Sequence, residues 1–198
     1  YAKDYYIKHH NCLDFHTIVN YLYNQNALLD SPIIFRRSTR TLSDSEFYNH
    51  ALEQVIDATR IIHNTLKHDV YESFGLFYEK DIYTMVTLPF IRSEYHVHDY
   101  YEILYVYCGN CTYFFQDTSF QLHKGQLLLL SPNTRHHIMM DENGLGLTIN
   151  IRKSTFRNTF QSLLNEHNLL SDFFAHTLYD TKAANYITFD IENTQEYN

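Results

Sequence analysis

His96, His98 and Glu102 follow the order His-x-His-x3-Glu, with Gly109 six residues beyond the glutamate. A second group lies downstream as Gly125-x5-Ser131-Pro132-Asn133-x2-His136. Imidazole and carboxylate donors at this spacing have the composition of a compact divalent-metal site or a polar ligand site. Residues two apart on a strand share a face, so His96 and His98 point the same way, and Glu102 joins them if the strand continues. His136 would arrive from a later strand. Mixed nitrogen and oxygen donors do not choose among Zn, Fe, Mn and Ni, so His96, His98, Glu102 and His136 could hold any of these ions. The same side chains could instead hydrogen-bond one another and an organic effector. With 13 histidines in the chain, the spacing carries this argument and the count does not. His137, next to His136, alternates outward and is expected at the surface.

These donors need strands to position them. At Gly75 the apolar period changes from helical to alternating, and strands are expected over 76–78, 82–88, 95–98, 102–108, 111–116, 119–123, 126–131, 136–140 and 145–151. Many short strands separated by turn residues indicate a sandwich or barrel. Gly109 and Gly125 fall where tight turns are required. Pairing 102–108 with 111–116 through Gly109-Asn110 sets Leu104 opposite Phe115 and Val106 opposite Tyr113, on the face of Glu102. An effector pocket lined by His96, His98, Glu102, Leu104, Tyr113, Phe115 and His136 follows, an apolar cavity with a few convergent polar groups. In the same reading Cys108-Gly109-Asn110-Cys111 is a hairpin whose cysteines face each other as ordinary strand residues. With Cys12 they make an odd count that fits no disulfide framework.

Helices flank the strands. From Asp14, the positions Phe15, Ile18, Val19, Leu22 and Leu29 keep helical spacing until Ser31-Pro32. Ser43 and Glu46 form a capping box ahead of Phe47, Ala51, Val55, Ala58, Ile62 and Leu66. Arg36, Arg37 and Arg40 between these helices read as a solvated loop. After Ser154 the residues Phe156, Phe160, Leu163 and Leu164 share a stripe, a short helix covers 169–179, and Tyr186–Phe189 looks strand-like before a polar tail.

The composition supports a packed protein: 44% of residues are hydrophobic and 19% charged, with 18 Tyr, 14 Phe and no Trp. A net charge of −8 repels phosphate backbones, which argues against direct nucleic-acid binding by this stretch. No apolar run approaches membrane-spanning length and no signal-peptide pattern opens the chain. Because it starts at Tyr1 rather than methionine, a longer protein is expected around it.

The two clusters resemble the paired motifs of the cupin superfamily, small antiparallel barrels that hold a metal or a small ligand. More narrowly, Glu94 to Ile149 resembles the sensor barrel of AraC-type bacterial transcription regulators, through His98-Asp99-Tyr100-Tyr101-Glu102-Ile103 and Ser131-Pro132-Asn133-Thr134-Arg135-His136. Asn133 stands where the cupin pattern has glycine, and Met140 where it often has asparagine. Asparagine is the side chain that best tolerates a left-handed turn. The resemblance implies an α+β fold, an antiparallel cupin-like β-barrel (jelly roll) with N-terminal helices and C-terminal amphipathic dimerisation helices. Its parts would be an N-terminal helical segment at 1–73, an effector-binding barrel at 74–152, a helical dimerisation segment at 153–190 and a linker at 191–198. It further implies a cytoplasmic regulator that dimerises through Phe156, Phe160, Leu163 and Leu164. That regulator senses a small molecule such as a sugar, requires no metal, and contacts DNA only through a C-terminal helix-turn-helix domain outside this chain. The alternative is a metal-dependent cupin enzyme, a dioxygenase or isomerase.

Overall fold

The computed structural model describes residues 1–27, 41–52, 69–70, 80–160, 169–179 and 186–191. Its elements run α1 (Ala2–His9), β1 (Leu13–Asp14), α2 (Phe15–Asn24), α3 (Asp44–Leu52), β2 (Asp69–Val70), β3 (Ile82–Thr87) and β4 (Ile91–Arg92). There follow β5 (Val97–His98), β6 (Tyr101–Cys108), β7 (Asn110–Phe115), β8 (Ser119–His123), β9 (Gln126–Leu130), β10 (His136–Met140) and β11 (Leu145–Ile151). Last come α4 (Lys153–Phe160), α5 (Leu169–Tyr179) and β12 (Tyr186–Asp190).

The sheets order as β1-β4-β10-β7-β8 and β12-β9-β6-β11-β3, with β2 and β5 as a separate pair. Within the two large sheets every pairing is antiparallel except β1 with β4. This is the expected α+β, cupin-like barrel. The strands from 82 onward fall within a residue or two of the alternation. The short β1 and β4 were not expected, since two residues carry no alternation to read. The expected strand at 76–78, the later turns of the capped helix, Arg36, Arg37, Arg40, Leu163 and Leu164 lie outside the described residues.

Local chemistry explains the helix starts. Asp14 caps α2 by accepting a hydrogen bond from the Thr17 amide at 2.8 Å. Ser43 and Glu46 form the reciprocal box: the Ser43 amide donates to Glu46 Oε2 at 2.9 Å, and the Glu46 amide to Ser43 Oγ at 3.4 Å. The N-terminal elements rest on the barrel. Tyr6 donates to Glu142 Oε1 at 3.0 Å, and Tyr107 donates to Asp44 Oδ1 at 2.7 Å.

One pairing differs from the sequence reading. β6 and β7 are not hairpin partners: β6 lies between β9 and β11, and β7 between β8 and β10. Leu104 is therefore opposite Leu128 and Thr148, and Phe115 opposite His136. Cys108 pairs with Leu145, and Cys111 with Met140 and Leu122, so the cysteines do not face each other and both stay free. Gly109 (φ 67°) turns the chain out of one sheet into the other. A Cβ there would sit 2.5 Å from Asp141 Oδ1 and 2.6 Å from Gly144 Cα, so this corner demands glycine for space as well as for conformation. Asp141 Oδ2 fixes the far side by accepting from the Asn110 amide at 3.0 Å and from its Nδ2 at 2.8 Å. Strand parity survives the change of partner. Leu104, Val106, Cys111, Tyr113, Leu122, Leu128, Leu130 and Met140 all point between the sheets and form the core.

A second core lies outside the barrel. Tyr101, Leu129 and Ile151, on the outer face of β6, β9 and β11, pack against Phe156, Phe173 and Phe174 of α4 and α5. Phe156 is only 2% exposed, so it is a core residue of its own chain and not part of a dimerisation surface. Packing against the barrel is where a large ring such as that of Phe156 gains most. After α5 the chain returns as β12, which pairs with β9 over Tyr186–Asp190. The barrel sheet thus includes a strand from beyond residue 152.

Candidate functional site

The two motif segments meet through backbone. His96 and His136 exchange amide–carbonyl hydrogen bonds at 3.0 and 3.1 Å, and the Asn133 amide donates to the His98 carbonyl at 2.7 Å. Asn133 has φ 65°, the left-handed conformation that its side chain tolerates and most others resist. The substitution of asparagine for glycine therefore keeps the turn that delivers His136.

Each of the three imidazoles is oriented by the carbonyl of a residue two positions away. His96 Nδ1 donates to Glu94 O at 2.8 Å, His98 Nδ1 to Tyr100 O at 2.8 Å, and His136 Nδ1 to Thr134 O at 2.9 Å. With the proton fixed on Nδ1, the Nε2 lone pairs are left for the interior, the arrangement by which proteins fix a ligating histidine's tautomer. One ligand atom from each histidine lies within 4.8 Å of the others. Nε2 of His98 and of His136 are buried with no hydrogen-bond partner. Glu102 Oε2 lies 3.6 Å from His98 Nε2, and Oε1 lies 3.9 Å from His136 Nε2. The Tyr113 hydroxyl donates to Glu102 Oε1 at 2.7 Å.

Burial sets the charges. It holds His98 well below its ordinary value, helped by the neighbouring His136 and His96, and it lowers His136 from 6.5 to about 4. Both rings are therefore neutral at physiological pH, the form that can bind a cation. Burial pushes the Glu102 carboxyl upward, against the Tyr113 hydroxyl and His96, which favour its charged form.

A pH dependence follows for the metal-free protein. A histidine depressed in the folded state takes up a proton on unfolding in acid, so its stabilising contribution is intact above 6.5 and is lost as pH falls toward about 4. For His136 this amounts to on the order of 3 kcal/mol, and His98 acts in the same direction. Glu102, shifted the other way, stabilises at low pH and opposes part of the loss. Urea unfolding at pH 7 and pH 4 should show the decrease, and His136→Gln should shrink it; an unchanged difference would contradict the burial of a neutral ring.

Among the seven pocket residues expected from the sequence, His96, His98, Glu102, Tyr113 and His136 come together. Leu104 belongs to the packed core, and Phe115 lies half-buried beside Phe120 and Tyr186, with ring centroids at 5.7 and 5.0 Å. His137 is on the outer face, stacked on Phe114 at 4.2 Å. Two further residues went unread. Tyr100 stacks on His98 at 4.2 Å and 8°. Asn150 is buried in register beside Glu102, and its Oδ1 has no partner. A polar residue at an inward position of β11 was the available sign of Asn150.

Residues 88–168, which contain every member of this cluster, match the family model of the AraC-like ligand binding domain. Similar solved structures include an apo variant of ToxT from Vibrio cholerae, at 17% identity over 58% of this chain and 44% of ToxT, with TM-score 0.42. Wild-type ToxT from Vibrio cholerae bound to an unsaturated fatty acid is similar at 17% identity, 55% and 40% coverage, and TM-score 0.36. A cupin-2 domain protein from Shewanella frigidimarina matches at 21% identity over 36% of this chain and 69% of its own, with TM-score 0.32. The chain spans less than half the length of the ToxT chains. No curated protein matches it in sequence. The match to the AraC-like ligand binding domain thus falls on the part of the chain that builds the two-sheet antiparallel barrel and its histidine cluster. Among the described residues no helix is long and apolar enough to cross a membrane.

Proposed function

We propose that this barrel is the effector-sensing part of an AraC-type transcription regulator, acting by binding rather than catalysis. In this reading a divalent ion (Zn, Fe, Mn or Ni) is held by His96, His98 and His136, with Glu102 beside them. The observation that carries it is the pair of buried Nε2 atoms without partners. Leaving buried polar atoms unpaired costs about 1–3 kcal/mol each, and an electrophilic occupant removes that cost. Such an ion would supply a Lewis-acidic centre for an effector to meet. The chain's residues would orient it through the carbonyls of Glu94, Tyr100 and Thr134. DNA contact would belong to a helix-turn-helix segment elsewhere in the protein, since the net charge of −8 disfavours it here. A homodimer and a cytoplasmic location belong to the same reading.

Two measurements test it. Elemental analysis of protein purified without chelator or added metal should find close to one equivalent of a divalent ion; a trace would retire the metal. Sequencing the reading frame past Asn198 should reveal a basic segment with two helix-turn-helix units, and a stop codon there would end the regulator reading. The nearness of Glu102 to two imidazoles also suits a metal-dependent cupin enzyme. Turnover of candidate substrates by the metal-loaded barrel would favour that second reading.

A further inference from the structure

The unpartnered groups at this end of the barrel have one chemical property in common. His98 Nε2, His136 Nε2 and Asn150 Oδ1 are all acceptors, and all are buried. The Tyr113 hydroxyl beside them is committed to Glu102. Asn150 is 1% exposed, is paired in register with Glu102 across β6 and β11, and alternates to the same inner face. An amide oxygen so placed does nothing for the empty fold, because a neutral acceptor buried without a donor is a net cost.

We propose that Asn150 is a recognition residue of the chamber, whose amide oxygen accepts a hydrogen bond from water carried by a divalent cation at the histidines. The inference rests on the metal reading above and extends it to what the chamber selects. A carboxylate or phosphate occupant would meet lone pairs on every side, whereas a hydrated cation offers charge to the imidazoles and O–H donors to Asn150. Burial points the same way. His98, His136, Tyr113, Leu104 and Leu130 are each 0% exposed, so an ion at the histidines would be screened from bulk water on these sides. An outer acceptor of this kind holds the ion's water in place and so tightens binding without touching the ion.

Co(II) serves as the probe, titrated into the chelator-treated chain while visible spectra and thermal midpoints are recorded. Wild type should take one equivalent. Asn150→Leu should still take one but bind it roughly tenfold or more weakly, while its metal-free midpoint equals or exceeds that of wild type, because the unpaired acceptor is gone. Asn150→Asp preserves an acceptor and should bind at least as tightly as wild type. This variant decides the matter if the leucine variant does not fold, since a tenfold loss in it overturns the inference. Unchanged Co(II) affinity in Asn150→Leu overturns the role of Asn150 and leaves the three-histidine reading standing. Wild-type protein that takes up no Co(II) overturns both.

Discussion

His136→Ala should lower the barrel's affinity for a divalent ion by well over a hundredfold while leaving the protein folded. Structural zinc sites bind with about 10–16 kcal/mol shared among their ligands, so one ligand accounts for about 3 kcal/mol, or more than a hundredfold. The geometry explains why no neighbour can replace it. His136 reaches the cluster on a turn whose Asn133 is already left-handed, and its ring is aimed by the Thr134 carbonyl at 2.9 Å. His98→Ala should behave alike. His137→Ala supplies the control, because that ring stacks on Phe114 on the opposite face of the strand and should leave affinity unchanged. Competition against a chromophoric chelator measures all three. Wild-type affinity in His136→Ala would remove the histidine cluster from the binding site.

Phe156→Ala is expected to cost 3–5 kcal/mol, the range for deleting a large buried aromatic ring. Its ring centroid lies 4.1 Å from that of Tyr101 and 4.4 Å from that of Phe174, so the loss leaves a void between sheet and helices that neither can fill without moving. Leu169→Ala is the matched control: Leu169 is 70% exposed and should change stability by less than about 0.5 kcal/mol. Urea unfolding separates the two outcomes, and a small effect at Phe156 would mean that α4 is not docked as described. The position also ties the inner face of the sheet to its outer face. Glu102 and Asn150 pair across the sheet on the inside, while Tyr101 and Ile151, their chain neighbours, pair on the outside against Phe156. Whatever shifts the inner pair acts on the strands that hold the helices, the kind of contiguous packing through which two sites can be coupled.

The sequence was most legible where residue type and strand parity agreed. His96, His98 and His136 were readable because ligand chemistry and alternation converge on the same positions, and Asn133 because few residues accept a left-handed turn. Gly109-Asn110 misled. The dipeptide has the chemistry of a hairpin turn, and nothing local distinguishes a hairpin from a corner between two sheets; Asp141, far along the chain, decides it. Phe156 misled for a related reason. An apolar helical stripe shows that a face is buried without showing what buries it, and Tyr101 was the nearer partner. Asn150 escaped because a lone asparagine in a strand acquires meaning only once Glu102 is known to sit beside it.

β12 has one more consequence. β9 is the run Gln126-Leu127-Leu128-Leu129-Leu130, and β12 occupies its outer side through Tyr186–Asp190. Without β12, that leucine-rich strand would present a bare row of amides and carbonyls, the kind of edge that recruits strands from other molecules. Loss of β12 would therefore turn this sheet into a seed for aggregation. The last described strand of the chain acts as the guard of its most apolar one.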